Sequence, residues 1–341
     1  MNAKLRRVLV VFAALGAAQT VPVAAQTAST GSGLAASKGA GQAYPNKPIR
    51  LIVPVPPGGG ADFVARAYAL RLGEALGQQI VVDNRGGAAG IIAMEATAKA
   101  APDGYTLIQT NVSTISINPY MYAKLPYDAE KGFAPVSITT LNPLVLVIHP
   151  SVAARTVPEL IGVAKAKPGT VTYASLGSGS IQHLSGFMFG KAAGVSLIHI
   201  PYKGAAPATV DLLAGQVNAA FSGIGTVVAH VRAGRLRGLA TTGPKRISAY
   251  PDLPTMAESG GPDMQVLLWN GILAPAATPV AIVRKLSEEI NRIVKSSDLA
   301  QVLATQGTSP VSNTPEEFSA FIKSEQAKFS KLVKELGIKL D

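Results

Sequence analysis

The stretch Val53-Pro54-Val55-Pro56-Pro57-Gly58-Gly59-Gly60-Ala61-Asp62 carries a β-branched run through a proline and glycine turn into a helical pattern. Such a junction suits an anion. Glycines let the backbone approach a ligand closely, and the first-turn N–H groups of a helix have no intrahelical acceptor. The same grammar returns at residues 81–90, 171–180 and 198–204. Four such corners predict a cleft built around a small anion. Gly58 and Gly59 are candidate contacts from the first corner, although plain turn glycines would look the same. Ser175, Gly177, Gly179 and Ser180 are candidates from the third, where hydroxyls stand beside free amides. Asp62 lies in a first helical turn. There it either touches the ligand or serves as a cap that the helix dipole favours by ~0.3–1 kcal/mol. His183 either donates to the ligand or is a satisfied structural histidine. Tyr202 and Lys203 are candidates from the fourth corner, the lysine either meeting the distal end of a ligand or standing solvated in its loop. His149, His199 and His230 are solitary on apolar runs and are read as core or surface residues.

Catalytic patterns are missing. The glycines around Ser178 have the wrong spacing for a Gly-x-Ser-x-Gly elbow, and no His-Glu-x-x-His occurs. Gly186 to Lys191 has one residue too few between its glycines for a phosphate loop and lacks the following Ser or Thr. The reading is a binding protein, not an enzyme, with neither cofactor nor metal.

The elements that must position these corners are short β-rich runs alternating with amphipathic stretches, the pattern of α/β units around largely parallel sheets. Expected strands cover residues 49–53, 80–82, 106–109, 144–149, 171–173, 196–200, 219–221 and 236–241. Thr156 with Glu159 and Thr314 with Glu317 fit capping boxes, and Thr278-Pro279 reads as a cap followed by an N1 proline. The helices they open carry 3.6-residue apolar faces, Ile282 to Val294 and Phe318 to Leu336, suited to packing.

Lys4, Arg6 and Arg7 precede an apolar run from Val8 to Ala18 and a small-residue site at Val23-Ala24-Ala25. This order is a signal peptide, 1–25, and implies a periplasmic protein. Residues 26–43, rich in Gly, Ala, Ser and Thr, read as a disordered linker. Cleavage after Ala25 removes three of the 31 basic residues and none of the 20 acidic ones, lowering the formal charge from +11 to +8. The basic residues are scattered and aromatics are only 6%, so the surplus does not make a nucleic-acid face but is compatible with anion attraction. There is no cysteine, and 48% apolar composition over about 300 residues supplies a core large enough for two lobes.

Tyr44-Pro45-Asn46-Lys47-Pro48, Pro57-Gly58-Gly59, Pro102-Asp103-Gly104-Tyr105, Leu125-Pro126-Tyr127-Asp128, Ala164 to Gly169, Pro201-Tyr202-Lys203-Gly204 and Trp269-Asn270-Gly271 follow one another in order. This ordered set resembles the tripartite tricarboxylate transporter substrate-binding proteins, also called Bug receptors. The resemblance implies a two-lobed periplasmic-binding-protein fold of type II, α/β, with two sheets joined by crossing hinge strands. It implies a first lobe of 44–143 plus 268–341, a second of 144–267, and a monomer that closes on one small carboxylate for delivery to an integral-membrane transporter. The carboxylate would be held between the Gly58-Gly59 loop and the Ser175 to Ser180 loop. Many members carry Phe-Asp where this chain has Phe221-Ser222, and many carry Phe where it has Val55, which makes Ser222 and Val55 candidate specificity positions. Trp269 falls at the recrossing, either in the core or lining the cleft. Competing functions are a ligand-sensing module for a signalling partner and a secreted α/β hydrolase, the latter without a nucleophile and base that can be named.

Overall fold

The computed structural model describes residues 44–339 apart from 59, 248, 249, 306 and 338. The expected signal peptide and linker, and the candidate Gly59, lie outside the described residues. In chain order the elements are β1 Ile49–Val53, α1 Gly60–Leu76, β2 Ile80–Asn84, α2 Ile91–Ala98, β3 Thr106–Asn111, α3 Asn118–Met121, β4 Phe133–Ile148, α4 Val157–Ala166 and β5 Thr172–Ser175. They continue with α5 Ile181–Ala193, β6 Ile198–Pro201, α6 Ala205–Leu213, β7 Ala219–Gly223, α7 Ile224–Arg232, β8 Arg237–Thr241, β9 Leu267–Pro275, α8 Val280–Val294, α9 Ser297–Ala304 and α10 Pro315–Leu336.

The strands run in the order β2-β1-β3-β9-β4-β7-β5-β6, with β8 also on β4. Pairing is parallel within β2-β1-β3 and within β7-β5-β6, as the alternating pattern predicts. It is antiparallel wherever β9 or β4 takes part. Strand β4 changes partner along its length: through Pro143 it pairs with β9, and from Leu144 it pairs with β7. One strand thus belongs to two sheets, which is the two-lobed type II arrangement.

The sequence expectation for β4 began only at Leu144 and has to be extended back to Phe133. Pro135, Asn142 and Pro143 hide that half, because proline and asparagine are depleted in strands. The residues tolerate it here because register shifts between Pro135 and Ser137 and between Ile138 and Thr140 absorb the irregularity. Strand β9 and helix α9 carry no expectation from periodicity.

Helix starts follow the caps, with two corrections. Thr314 and Glu317 form the reciprocal box, at 3.1 Å and 2.7 Å. Thr156 accepts from the Glu159 amide, but the Glu159 carboxylate returns to Arg155 N, one residue before the cap. At α8 the cap is Pro279, not Thr278, whose buried hydroxyl has no hydrogen-bond partner. Trp269 is fully buried; its Nε1 donates to Glu325 of α10 at 3.1 Å and its ring packs edge-on against Phe318 and Phe321. Beside it Gly271 leaves no room for a Cβ, which would come within 2.3 Å of the Phe318 ring. Helix α10 therefore lies against the crossing strand β9, and Trp269 belongs to the core.

Candidate functional site

A cleft of about 640 Å3 opens among the loops that follow β1, β2, β5 and β7, with β3, β4 and β9 at its floor. The floor is polar because of strand register. Asn111 pairs with Asn270 across β3 and β9, and Asn270 with Thr140 across β9 and β4. Asn142 lies two residues beyond Thr140 and so shares its face. Asn111, Asn142 and Asn270 all line the cleft.

At the first corner Gly58 adopts φ +88, a conformation that glycine takes without penalty. Its N–H donates to the carboxylate of Asp62 at 2.9 Å, which also accepts from Arg66 Nε at 3.0 Å and Asn84 Nδ2 at 2.8 Å. Burial alone would raise the Asp62 carboxyl, but these donors outweigh it and hold it below the usual carboxylate range. Asp62 is thereby committed to building the corner. Gly60 and Ala61, in the first turn of α1, line the cleft.

The second corner is a left-handed turn. Gly87, Ala88, Ala89 and Gly90 all have φ between +45 and +110. Gly90 is obligatory there, since a Cβ would sit 2.5 Å from Thr114 Cγ2. Asn118 Nδ2 donates to Ala89 O and pins the turn from α3.

The third corner rests on two histidines. Ser180 caps α5 by accepting from His183 N and donates its own hydroxyl to Gly177 O. His183 Nδ1 accepts from Gly179 N at 3.1 Å, and His199 Nε2 lies 2.6 Å from Ser175 Oγ. The imidazoles stack at 3.8 Å with 14° between planes, and Tyr173 flanks His199 at 5.3 Å. Burial, reinforced by His199, pushes His183 down to about 4, and burial lowers His199. Both rings are neutral at physiological pH.

A fifth corner, Ser222 to Thr226 at the end of β7, completes the wall. Gly223 caps α7 without a side-chain hydrogen bond. No Asp, Glu, Lys, Arg or His is among the described residues that line the cleft. An anion there meets backbone amides, hydroxyls and carboxamides only.

Residues 64–338 match the family model described as the tripartite tricarboxylate transporter family receptor. The chain belongs to this family. BugT of Bordetella pertussis (strain Tohama I) is 40% identical over 298 residues, which is 87% of this chain and 91% of that protein. Among solved structures, an R. palustris protein with adipate superposes with a TM-score of 0.79 at 33% identity, covering 87% of this chain and 99% of that one. MatC from Rhodopseudomonas palustris with bound malate gives 0.75 at 29% identity, covering 85% and 100%. As a tripartite tricarboxylate transporter receptor, the chain is a solute-binding protein and not an enzyme.

Of the residues expected from the sequence of this receptor, Val55, Gly58, Gly179, Ser180 and Ser222 line the cleft. Asp62, Ser175, Gly177 and His183 stand behind it as the scaffold of its corners. Tyr202 donates its hydroxyl to Asp211, and Lys203 is exposed, neither lining the cleft. His199, read as solitary, is the partner of His183; only the parallel register that sets it opposite Tyr173 reveals this. The floor asparagines, Gln182 and the fifth corner carried no expectation apart from Ser222. Gly223-Ile224-Gly225 after a short apolar strand was the available signal for that corner.

Proposed function

We propose that this chain is a periplasmic receptor for a small carboxylate, held as a monomer between two lobes and delivered to an integral-membrane transporter. The lobes are 44–143 plus 268–341, and 144–267, divided where β4 exchanges β9 for β7. The observation that carries this reading is the cleft itself: glycine-cornered, rich in amide donors and free of charged side chains among the described residues. The carboxylate is held by the first-turn amides of Gly60 and Ala61 on one side and by the Ser178 to Ser180 loop on the other. Gly58 contributes its conformation, its own amide being engaged with Asp62. The relatives solved with adipate and malate support a carboxylate as ligand.

An amino acid is disfavoured. Its ammonium would be buried without a carboxylate to receive it, and Ser222 offers only a hydroxyl. A thermal-shift screen against a carboxylate library, with mass spectrometry of any ligand retained from expression, tests the reading. At ~1,000 times its dissociation constant a ligand adds ~4 kcal/mol of stability. At ~2–4 °C per kcal/mol the melting temperature rises by several degrees. A library in which no carboxylate shifts the transition overturns the reading. Glutamate or aspartate outranking every amino-free acid overturns the exclusion of amino acids.

A further inference from the structure

Gln182, the second residue of α5, lines the cleft at 7% exposure; its carboxamide makes no hydrogen bond among the described residues, and its polar atoms remain accessible from the cleft. Other buried amides donate into the fold. Gln326 donates to Ile115 O, Asn118 to Ala89 O and Gln109 to Ala61 O. Gln109 Oε1 and the hydroxyls of Ser116, Thr139 and Thr278 are buried and unpaired, but none of these residues lines the cleft. The Gln182 amide is solvated while the cleft is open, and closure over a ligand that cannot bond it would leave it buried and unpaired, which is unfavourable.

The floor has the same surplus. Asn142 accepts from Ser309 N, which uses its Oδ1 and leaves Nδ2 free, and Asn270 donates to Thr140, which leaves its Oδ1 free. Both side chains are buried and both line the cleft. Donors and acceptors are therefore available together, beyond the backbone amides that one carboxylate would occupy.

Resting on the receptor reading above, we propose that Gln182 is a specificity-determining ligand contact, selecting an acid that carries a second polar group, hydroxyl or carboxyl, over the simple alkanoate of the same length. An alkanoate would leave the Gln182 amide buried and unpaired in the closed cleft. A site built to hydrogen-bond a group rejects the analogue that lacks it far more strongly than an apolar pocket rejects an extra methylene.

The experiment compares wild type with Gln182→Met, a change of similar volume, by isothermal titration with two matched pairs, adipate with hexanoate and malate with butyrate. Because Gln182 holds nothing in the fold, the variant without ligand should melt at the wild-type temperature or above. Wild type should prefer the doubly polar member of at least one pair by about tenfold or more. In Gln182→Met that preference should collapse through loss of affinity for the doubly polar acid, the alkanoate being unaffected. A variant that melts several degrees lower makes Gln182 structural and overturns the proposal, as does an unchanged preference or an equal loss for both members. If wild type binds neither pair while the wider screen finds another acid, the ligand class is overturned and the receptor reading stands; if the screen finds none, the receptor reading itself falls.

Discussion

At the scale of single residues, Asp62 shows how a carboxylate beside an anion site can serve the backbone instead of the ligand. Its oxygens satisfy Gly58 N, Arg66 and Asn84, the last of which also donates to Val55 O. Asp62→Ala strands two neutral donors, and the loss should be about 1–3 kcal/mol in urea unfolding. The Arg66 ion pair adds little to that figure, because the guanidinium is half exposed. The folded carboxyl titrates below its ordinary value, so its contribution is complete above about pH 4 and is lost as pH falls through the lowered folded value. Asp62→Asn should be flatter in stability over that window; an identical acid limb in both proteins would remove Asp62 from the account. The sequence left Asp62 open between cap and contact because the residue that decides it, Asn84, arrives from β2 and is visible only in the fold. Ser222 and Val55 are named through the family resemblance, as departures from the residues that many members carry there.

At the scale of elements, the corners were legible and the floor was not. Strands such as β1, with four apolar positions broken only by Arg50, announce themselves. Strand β9 and the first half of β4 are masked by Asn142 and Asn270, which line the cleft, by Gly271, which makes room for Phe318, and by Pro135 and Pro143, so only part of the missing pattern is owed to the site. Also hidden are the stacked histidines, one on α5 and one on β6, which brace the Ser175 to Ser180 loop from below. Tyr173, whose hydroxyl donates to His183 O, is the other titratable group against them among the described residues. His183 accepts at Nδ1 and can do so only when neutral. Its folded value near 4 lies below the ordinary 6.5. Order in the loop is therefore full above pH 6.5 and lost as pH falls through about 4. Ligand affinity of the wild type should weaken across that interval more than that of His183→Asn, whose amide oxygen can accept the Gly179 N–H without titrating. The same ligand in both titrations cancels its own protonation, and superimposable pH profiles would dismiss the imidazole as the cause.

At the scale of the whole molecule, the walls of the cleft come from loops on both sheets, while the floor is built from strands that run between them. A ligand bridging the walls favours the conformation in which they are closest. Addition of the acid that binds best should lower the radius of gyration in solution scattering, and a value unchanged at saturation would exclude lobe closure. Steering and holding are separated in this design. The formal charge, +11 for the full chain and +8 after the expected cleavage, attracts anions at a distance, whereas the contacts inside are neutral. Salt should consequently slow association more than it hastens release.

The exchange of partners along β4 also fixes what can come apart. A single run of sixteen residues is shared by both halves of the molecule; a cut at Pro143 would leave each part its own strand partners, β9 for the first and β7 with β8 for the second, but would remove one of the two strands that tie the halves together. Because β9 carries the chain back beside the first half of β4, the first half is assembled from two separate stretches of sequence and could not be moved elsewhere as one continuous segment.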